Sequence, residues 1–218
     1  MNPSRNRLSE LAPGVELLEN LRFNPGEESN DPTFVNEIIN GIDFYVNDAF
    51  GAAHRSHASI VGPPKYLPSA AGRLLQREVE VLAELRNNPK RPLVAVLGGA
   101  KISDKIGVIE ALSKVVDSFV IGGGMCFTFL AAKSLPIGDS LCERDQIAFC
   151  KQLLESQVKI YLPEDIVGVN KAGILATFGV RLPEGSKGLD IGPGSAAAFA
   201  DIIMGARSVF WNGPMGMF

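Results

Sequence analysis

Short apolar runs rich in β-branched residues alternate along this chain with stretches whose apolar positions recur at helical spacing. That alternation marks a mostly parallel sheet with helices on its faces. It predicts strands over residues 14–19, 43–50, 93–97, 118–121, 159–162 and 208–211. Helices are predicted over 32–40, 103–115, 125–133, 143–156 and 194–205, the first with Asp31 as its cap and Pro32 at its first position. Ala71, Leu74, Leu75, Val79, Leu82 and Leu85 trace one face of a further, long helix, which Asn87, Asn88, Pro89 and Pro92 end. A proline- and glycine-rich passage, Gly62 through Pro68, precedes that helix, which falls where a domain boundary would. The chain thus divides into 1–70, a connector at 71–88, and 89–218. Residues 168–189 are ambiguous between loop and short antiparallel strands. Both ends read as unfinished. The first half offers only two clear strands, and the closing SVFWNGPMGMF supplies a strand and turn with no helix to cover them.

Composition narrows the classes. A chain of 218 residues, 46% hydrophobic and 21% charged, can bury a substantial core. A net charge of −3 argues against a general nucleic-acid or membrane-surface binder, so any cationic site is a local patch. The polar start MNPSRNRLSEL lacks the apolar region of a signal peptide, and the longest apolar run, 119–132, is too short for a bilayer. Three cysteines, Cys126, Cys142 and Cys150, form no metal-ligand spacing and read as reduced, buried thiols of a cytoplasmic protein.

The densest chemical signal is PLVAVLGGAKISDKIGVIEAL, residues 92–112: a strand, a Gly98-Gly99 turn, Lys101, then a helix start with Lys105 in its first turn. Freed backbone N–H groups and the positive end of the helix dipole attract anions. Lysines beside that dipole are unfavourable unless negative charge is expected, so the segment reads as a phosphate site. It lacks the Walker A spacing, and no Gly-x-Gly-x-x-Gly fingerprint follows any strand, which disfavours a dinucleotide-dependent dehydrogenase. Three more loops end strands: Gly122-Gly123-Gly124, Asp190 to Ser195, and Asn212 to Gly216. Ligands of open α/β sheets bind at such strand ends. The Gly122–Gly124 run fits two readings equally, the approach of a flat ring or close packing of strand on helix. In the first half Arg22 and Arg55 follow strands and suit a second anion site, though Arg22 could equally pair with Glu27 or Glu28. His54 and His57 read as hydrogen-bonding loop groups and Asp48 as a structural cap or turn former. No nucleophile–base or paired-carboxylate constellation stands out.

Together LLENLRF, NDAFGAAHRSHAS, VLGGAKISDK, IGGGMCFTFL, LDIGPGS and WNGPMG resemble the phosphoglycerate kinase family, in that family's order, from about Pro13 to Phe218. The fold class implied is α/β, with two Rossmann-like parallel-sheet lobes joined by a long connector helix, both lobes truncated. The resemblance implies a hinge-bending cytoplasmic monomer of glycolysis. It would move a phosphoryl group between 1,3-bisphosphoglycerate with ADP and 3-phosphoglycerate with ATP, magnesium arriving as MgATP or MgADP, with neither nucleic acid nor membrane as partner. Carried over by position, Arg22 and Arg55 would hold phosphoglycerate, with His54 a lesser neighbour, and Lys105, with Arg55, would serve the transfer. Gly99, Ala100 and Lys101 would line the nucleotide phosphates, Gly123 the adenine, and Gly188 and Leu189 the base and ribose. Asn212, Gly213, Met215 and Phe218 would complete the nucleotide pocket.

The family's opening segment, with its Asp-Phe-Asn strand end and His-x-Gly-Arg-Pro loop, is not matched here. Nor are its ribose-contacting glutamate and Gly-Gly-Gly-Asp loop, and MGMF replaces the usual ending. These 218 residues alone are therefore expected to be catalytically weak or inactive. A non-catalytic nucleotide-binding module and a gene fragment are the competing readings.

Overall fold

A computed structural model describes residues 15–217 in full and residues 5–7 as backbone. The chain forms two compact units, Met1–Ala83 and Glu84–Phe218.

In the first unit β1 (Arg5–Arg7) pairs antiparallel with β2 (Glu16–Leu18). α1 (Pro25–Glu28), α2 (Pro32–Ile39), β3 (Tyr45–Asn47), α3 (Ala58–Val61) and β4 (Ser69–Ala71) follow, with β4 parallel to β3. Asp31 caps α2 as its sequence suggests: Oδ1 accepts from the backbone N–H of Thr33 at 2.7 Å and of Phe34 at 3.1 Å. The core here is small, with Phe34, Val35 and Ala58 buried and Leu21, Ile38 and Ile39 packed around them. Beside it lies a buried carboxylate, Glu27, which accepts hydrogen bonds from Ser59 N at 3.0 Å and Ser59 Oγ at 2.6 Å. His57 Nδ1 stands 3.8 Å from the same carboxylate.

Among the described residues this unit shows two two-stranded sheets, one antiparallel and one parallel, a small part of the lobe the sequence implies. The strand predicted over 43–50 shrinks to Tyr45–Asn47, and Phe50 opens a single helical turn. The proline-rich passage leads into a strand, β4, in place of the first residues of the long helix. A parallel pair needs further strands and covering helices to bury its faces. Among the described residues β3 pairs only with β4, and Phe44 and Val46 are 71% and 58% exposed.

The long helix, α4 (Arg73–Asn87), spans the division between the units and ends where the asparagine and proline signals place it. Asp48 Oδ1 accepts from Leu75 N at 2.9 Å, the capping role its sequence suggests. The apolar face of α4 is unevenly covered: Leu74, Val79 and Leu82 are exposed, Leu75 is half-buried, and Leu85 packs on the core of the second unit. Helical periodicity locates a helix but does not supply the surface that covers it.

The second unit carries most of the buried apolar side chains. Its elements are β5 (Leu93–Leu97), α5 (Ile106–Leu112), β6 (Ser118–Ile121), α6 (Cys126–Ala132), α7 (Ile147–Leu154), β7 (Lys159–Tyr161), β8 (Asp165–Val169), β9 (Leu175–Gly179), β10 (Lys187–Ile191), α8 (Pro193–Met204) and β11 (Ser208–Asn212). Four strands form a wholly parallel sheet in the order β11-β5-β6-β7. Strands β5 and β6 are buried along their whole length, as central parallel strands covered on both faces must be. Leu93, Ala95 and Leu97 face a core with Ile109, Phe127 and Phe129, while Val94 and Val96 face Phe199 on the other side. The ambiguous 168–189 stretch resolves as part of an antiparallel sheet, β10-β8-β9, with a bulge between Gly188 and Asp190. The helix predicted from residue 103 begins at Ile106, after a tight turn at Ser103–Lys105, because Lys105 (φ −124°, ψ 1°) leaves helical geometry. Cys126 and Cys150 are buried as expected, but Cys142 is only half-buried. No helix among the described residues is long and apolar enough to cross a membrane.

The Glu27 arrangement sets one expectation. Glu27→Ala leaves the Ser59 N–H without its acceptor in a half-buried site and is expected to lower stability by roughly 2 kcal/mol. Glu27→Gln retains an acceptor and should cost less. Urea denaturation followed by circular dichroism measures both, and equal stabilities for Glu27→Ala and the unaltered chain would refute the role.

Candidate active site

Chain order in the parallel sheet runs outward from β5 through β6 to β7, then returns to the other side of β5 as β11. The β5–β11 junction is therefore the topological switch point, where loops diverge and a crevice opens beyond the strand ends. Gly98 to Lys105 leave β5 there and Gly213 to Gly216 leave β11, with Gly122 to Gly124 at the end of neighbouring β6.

These turns are stitched backbone to backbone. Gly98 N donates to Asn212 O at 3.0 Å, Gly99 N to Pro214 O at 2.8 Å, Gly123 N to Met215 O at 2.6 Å, and Met125 N to Gly99 O at 3.0 Å. A Cβ on Gly98 would lie 2.0 Å from the Pro214 carbonyl oxygen, so only glycine fits. Gly123 has φ +64°, and a Cβ there would lie 2.5 Å from Gly99 N. Of the two readings of Gly122–Gly124, the geometry favours close packing, but the partners are neighbouring turns and not a helix. Gly124 is the exception. With Gly99, Ala100, Gly188, Leu189 and Leu141 it lines a cleft of about 330 Å³, closed by Lys187, Pro214, Gly216 and Met217. Gly188 is buried: its backbone N–H donates to Ser140 Oγ at 2.9 Å, and a Cβ would strike Phe127.

Lys105 is half-buried, and its ammonium donates to Asn212 Oδ1 across the switch point. Lys101 is exposed. Gly213 adopts φ +91° against Gly98, and the Met215 side chain packs on Gly122. Phe218 lies outside the described residues. Arg22, in a single helical turn after β2, and Arg55, after β3, are exposed, and His54 is exposed beside Arg55. Glu27, the alternative partner considered for Arg22, is turned inward to Ser59 instead.

One expectation is corrected. The backbone N–H groups of Ile102 and Ser103, in the turn before α5 that the sequence offers to an anion, are already held by one of the protein's own carboxylates, and a second carboxylate does the same at the start of α8. Glu143 Oε2 accepts from Ile102 N at 2.6 Å and Ser103 N at 3.1 Å, and Oε1 accepts from Ser103 Oγ at 2.5 Å. Asp165 accepts from Gly194 N at 2.9 Å and Ser195 N at 2.6 Å at the start of α8, and Ser195 Oγ donates to it as well. Burial pushes both carboxyls up. The hydrogen bonds outweigh it and hold both below the ordinary carboxylate range, from the Ser103 hydroxyl and the Ser103 and Ile102 backbone for Glu143, and from Ser195 and Gly194 for Asp165. Glu143 carried no sequence signal, since it sits about 40 residues from the turn it holds. Leu141, Lys187 and Met217 were likewise invisible as cleft residues.

A doubly wound α/β sheet with lysine and glycine turns at its switch point defines a ligand-binding protein of the open-sheet class. The chain belongs to the phosphoglycerate kinase family: the family model described as Phosphoglycerate kinase matches residues 2–218. It is 52% identical over 225 residues to the phosphoglycerate kinase of Parafrankia sp. (strain EAN1pec), covering 99% of this chain and 56% of that protein. It is 50% identical over 216 residues to that of Rubrobacter xylanophilus, covering 97% of this chain and 55% of the relative. Among solved structures, phosphoglycerate kinase from Coxiella burnetii aligns with TM-score 0.73 at 36% identity, over 91% of this chain and 54% of that one. The Pyrococcus horikoshii OT3 enzyme aligns with TM-score 0.75 at 30% identity, over 90% and 54%. The chain thus spans about half the length of the curated relatives it matches.

Two outcomes are expected from this geometry. Gly98→Ala forces the β5 and β11 turns apart and should cost roughly 2–3 kcal/mol in chemical denaturation; unchanged stability would contradict the packing. Glu143 and Asp165 have folded-state pKa values below their ordinary 4.5 and 3.8. The unfolded chain then binds protons first, so their stabilisation is full above about pH 5 and lost as pH falls through the folded values. Stability measured from pH 6 down to pH 3 should decline, and less steeply when Glu143→Gln and Asp165→Asn are combined.

Proposed function

We propose that this chain carries the phosphoryl-transfer function of its family. In that reaction the acyl phosphate of 1,3-bisphosphoglycerate passes its phosphoryl group to the β-phosphate oxygen of ADP, giving 3-phosphoglycerate and ATP, and the step is reversible. The observation that carries the reading is the Lys105 ammonium, held by Asn212 at the switch point of the parallel sheet, in a chain half identical to phosphoglycerate kinases along nearly its whole length.

Phosphoryl transfer asks little covalent chemistry of a protein; alignment and neutralisation of charge on the transferring oxygens supply most of the rate. Lys105 suits that role. It is half-buried, and it presents a compact cation whose root is fixed by the turn before α5. Lys101, Gly99 and Ala100 receive the nucleotide phosphates and Leu189 and Gly188 the base and ribose, with Asn212, Gly213 and Met215 completing the site and Phe218 beyond. Gly123, packed on Gly99 and Pro214, serves as support beneath them and not as a ring contact. Arg22 and Arg55, with His54 nearby, offer guanidinium forks for the carboxylate and phosphate of phosphoglycerate. No step needs a general base, which accords with the lack of a nucleophile–base pair in the sequence. Magnesium arrives with the nucleotide as part of the substrate; among the described residues no cluster of three or more His, Cys, Asp or Glu side chains forms. A monomer in the cytoplasm, with thiols kept reduced, is the setting this reading assigns.

Titration calorimetry with MgADP is the direct test, and saturable binding is expected. A coupled assay with 3-phosphoglycerate and MgATP should register weak turnover at most, because the core beneath the arginine loops of the first unit is the small cluster of Phe34, Val35 and Ala58. Lys105→Ala should lower any measured turnover by about 10²-fold while changing MgADP affinity far less. Arg55→Ala should instead weaken 3-phosphoglycerate binding. MgADP binding with neither phosphoglycerate affinity nor turnover would favour a nucleotide-binding module, and absence of MgADP binding would end the proposal.

A further inference from the structure

We propose that Glu143, which belongs to none of the sequence motifs, is a positioning residue for the nucleotide phosphates: it holds the turn that carries Lys101 and Lys105. The inference rests on the nucleotide-binding reading above.

Glu143 lies in the segment between α6 and α7. Its carboxylate takes both backbone N–H groups of Ile102 and Ser103 and the Ser103 hydroxyl, three bonds to two consecutive residues. The turn then closes on itself through Lys105 N donating to Ile102 O at 2.8 Å. Lys105 leaves this clamped turn with its stem against Gly99, 3.3 Å from where a Cβ would stand, and its ammonium at Asn212. Glu143 is itself anchored. Its backbone N–H donates to Thr128 Oγ1 at 3.2 Å, and Thr128, 1% exposed, belongs to α6. The residue before α6, Met125, donates its N–H to Gly99 O at 3.0 Å. The connections form a closed circuit from the glycine turn after β5 through Glu143 and α6 back to Gly99, so the carboxylate fixes the lysine turn relative to the cleft wall.

A lysine stem has four rotatable bonds, and only a fixed root makes its ammonium arrive at one place; a displacement near 1 Å can cost orders of magnitude in function. The role is geometric and not one of charge, which gives it a signature. Glutamine at 143 keeps one oxygen for the two backbone N–H groups. Its amide can donate to Ser103 Oγ, because a hydroxyl serves equally as acceptor. Alanine keeps nothing.

Titration calorimetry with MgADP and with adenosine, which lacks phosphates, reads this out on the unaltered chain, Glu143→Ala, Glu143→Gln and Ser103→Ala. Glu143→Ala should weaken MgADP by about tenfold or more while adenosine changes less than about twofold. Glu143→Gln should return MgADP affinity to within about threefold, and Ser103→Ala, which removes one bond and serves should Glu143→Ala not fold, should weaken MgADP by about threefold alone. Glu143→Ala binding MgADP like the unaltered chain overturns the proposal, as does equal weakening of both ligands, the mark of a merely structural role. Glu143→Gln failing as badly as alanine would also overturn it. If the unaltered chain does not bind MgADP, the nucleotide reading falls and this one with it; if it does bind, a null result at Glu143 overturns this inference only.

Discussion

The second unit is organised around the backbone contact between the turns that leave β5 and β11. Gly98 and Gly99 hydrogen-bond to Asn212 and Pro214, and Gly123 reaches Met215, with no room for a side-chain carbon at Gly98 or Gly123. Parallel strands that switch direction of progression would otherwise leave splayed loops and a water-filled notch. The glycines let three turns interlock, and each backbone donor finds a carbonyl while solvent is excluded. Lys105 and Asn212 meet beside these interlocked turns, the ammonium donating to the amide oxygen.

The same region shows how a fold satisfies its own turn and helix-start donors. Helix and turn N-termini attract negative charge from any source. Here Glu143 and Asp165 satisfy donors of this kind from within the protein, which stabilises the turns.

The two units differ in the physical basis of their order. The second has strands buried on both faces and two apolar layers. The first relies on a cluster of Phe34, Val35 and Ala58, a buried Glu27 held by Ser59, and two short sheets with large apolar side chains in water. Exposed apolar faces beside a two-stranded sheet invite association. This contrast explains why Tyr45–Asn47 is short where its sequence supports more: strand length in a parallel sheet is set by neighbours, not by propensity alone.

Local chemistry was readable in the residues. Apolar runs located β5, β6, β7 and β11 almost to the residue, Asp31 and Pro32 marked the start of α2, and the asparagine–proline cluster marked the end of α4. The six ordered motifs carried the family, because a motif is a short-range pattern and survives in one dimension. Tertiary structure alone decided what depends on distant partners. It left Leu74, Val79 and Leu82 of α4 exposed while packing Leu85 on the core, paired residues 5–7 with Glu16–Leu18, and closed turn and helix-start donors with Glu143 and Asp165. A carboxylate about 40 residues from the backbone it caps leaves no periodic or compositional trace, so its role exists only once the chain has folded back on itself.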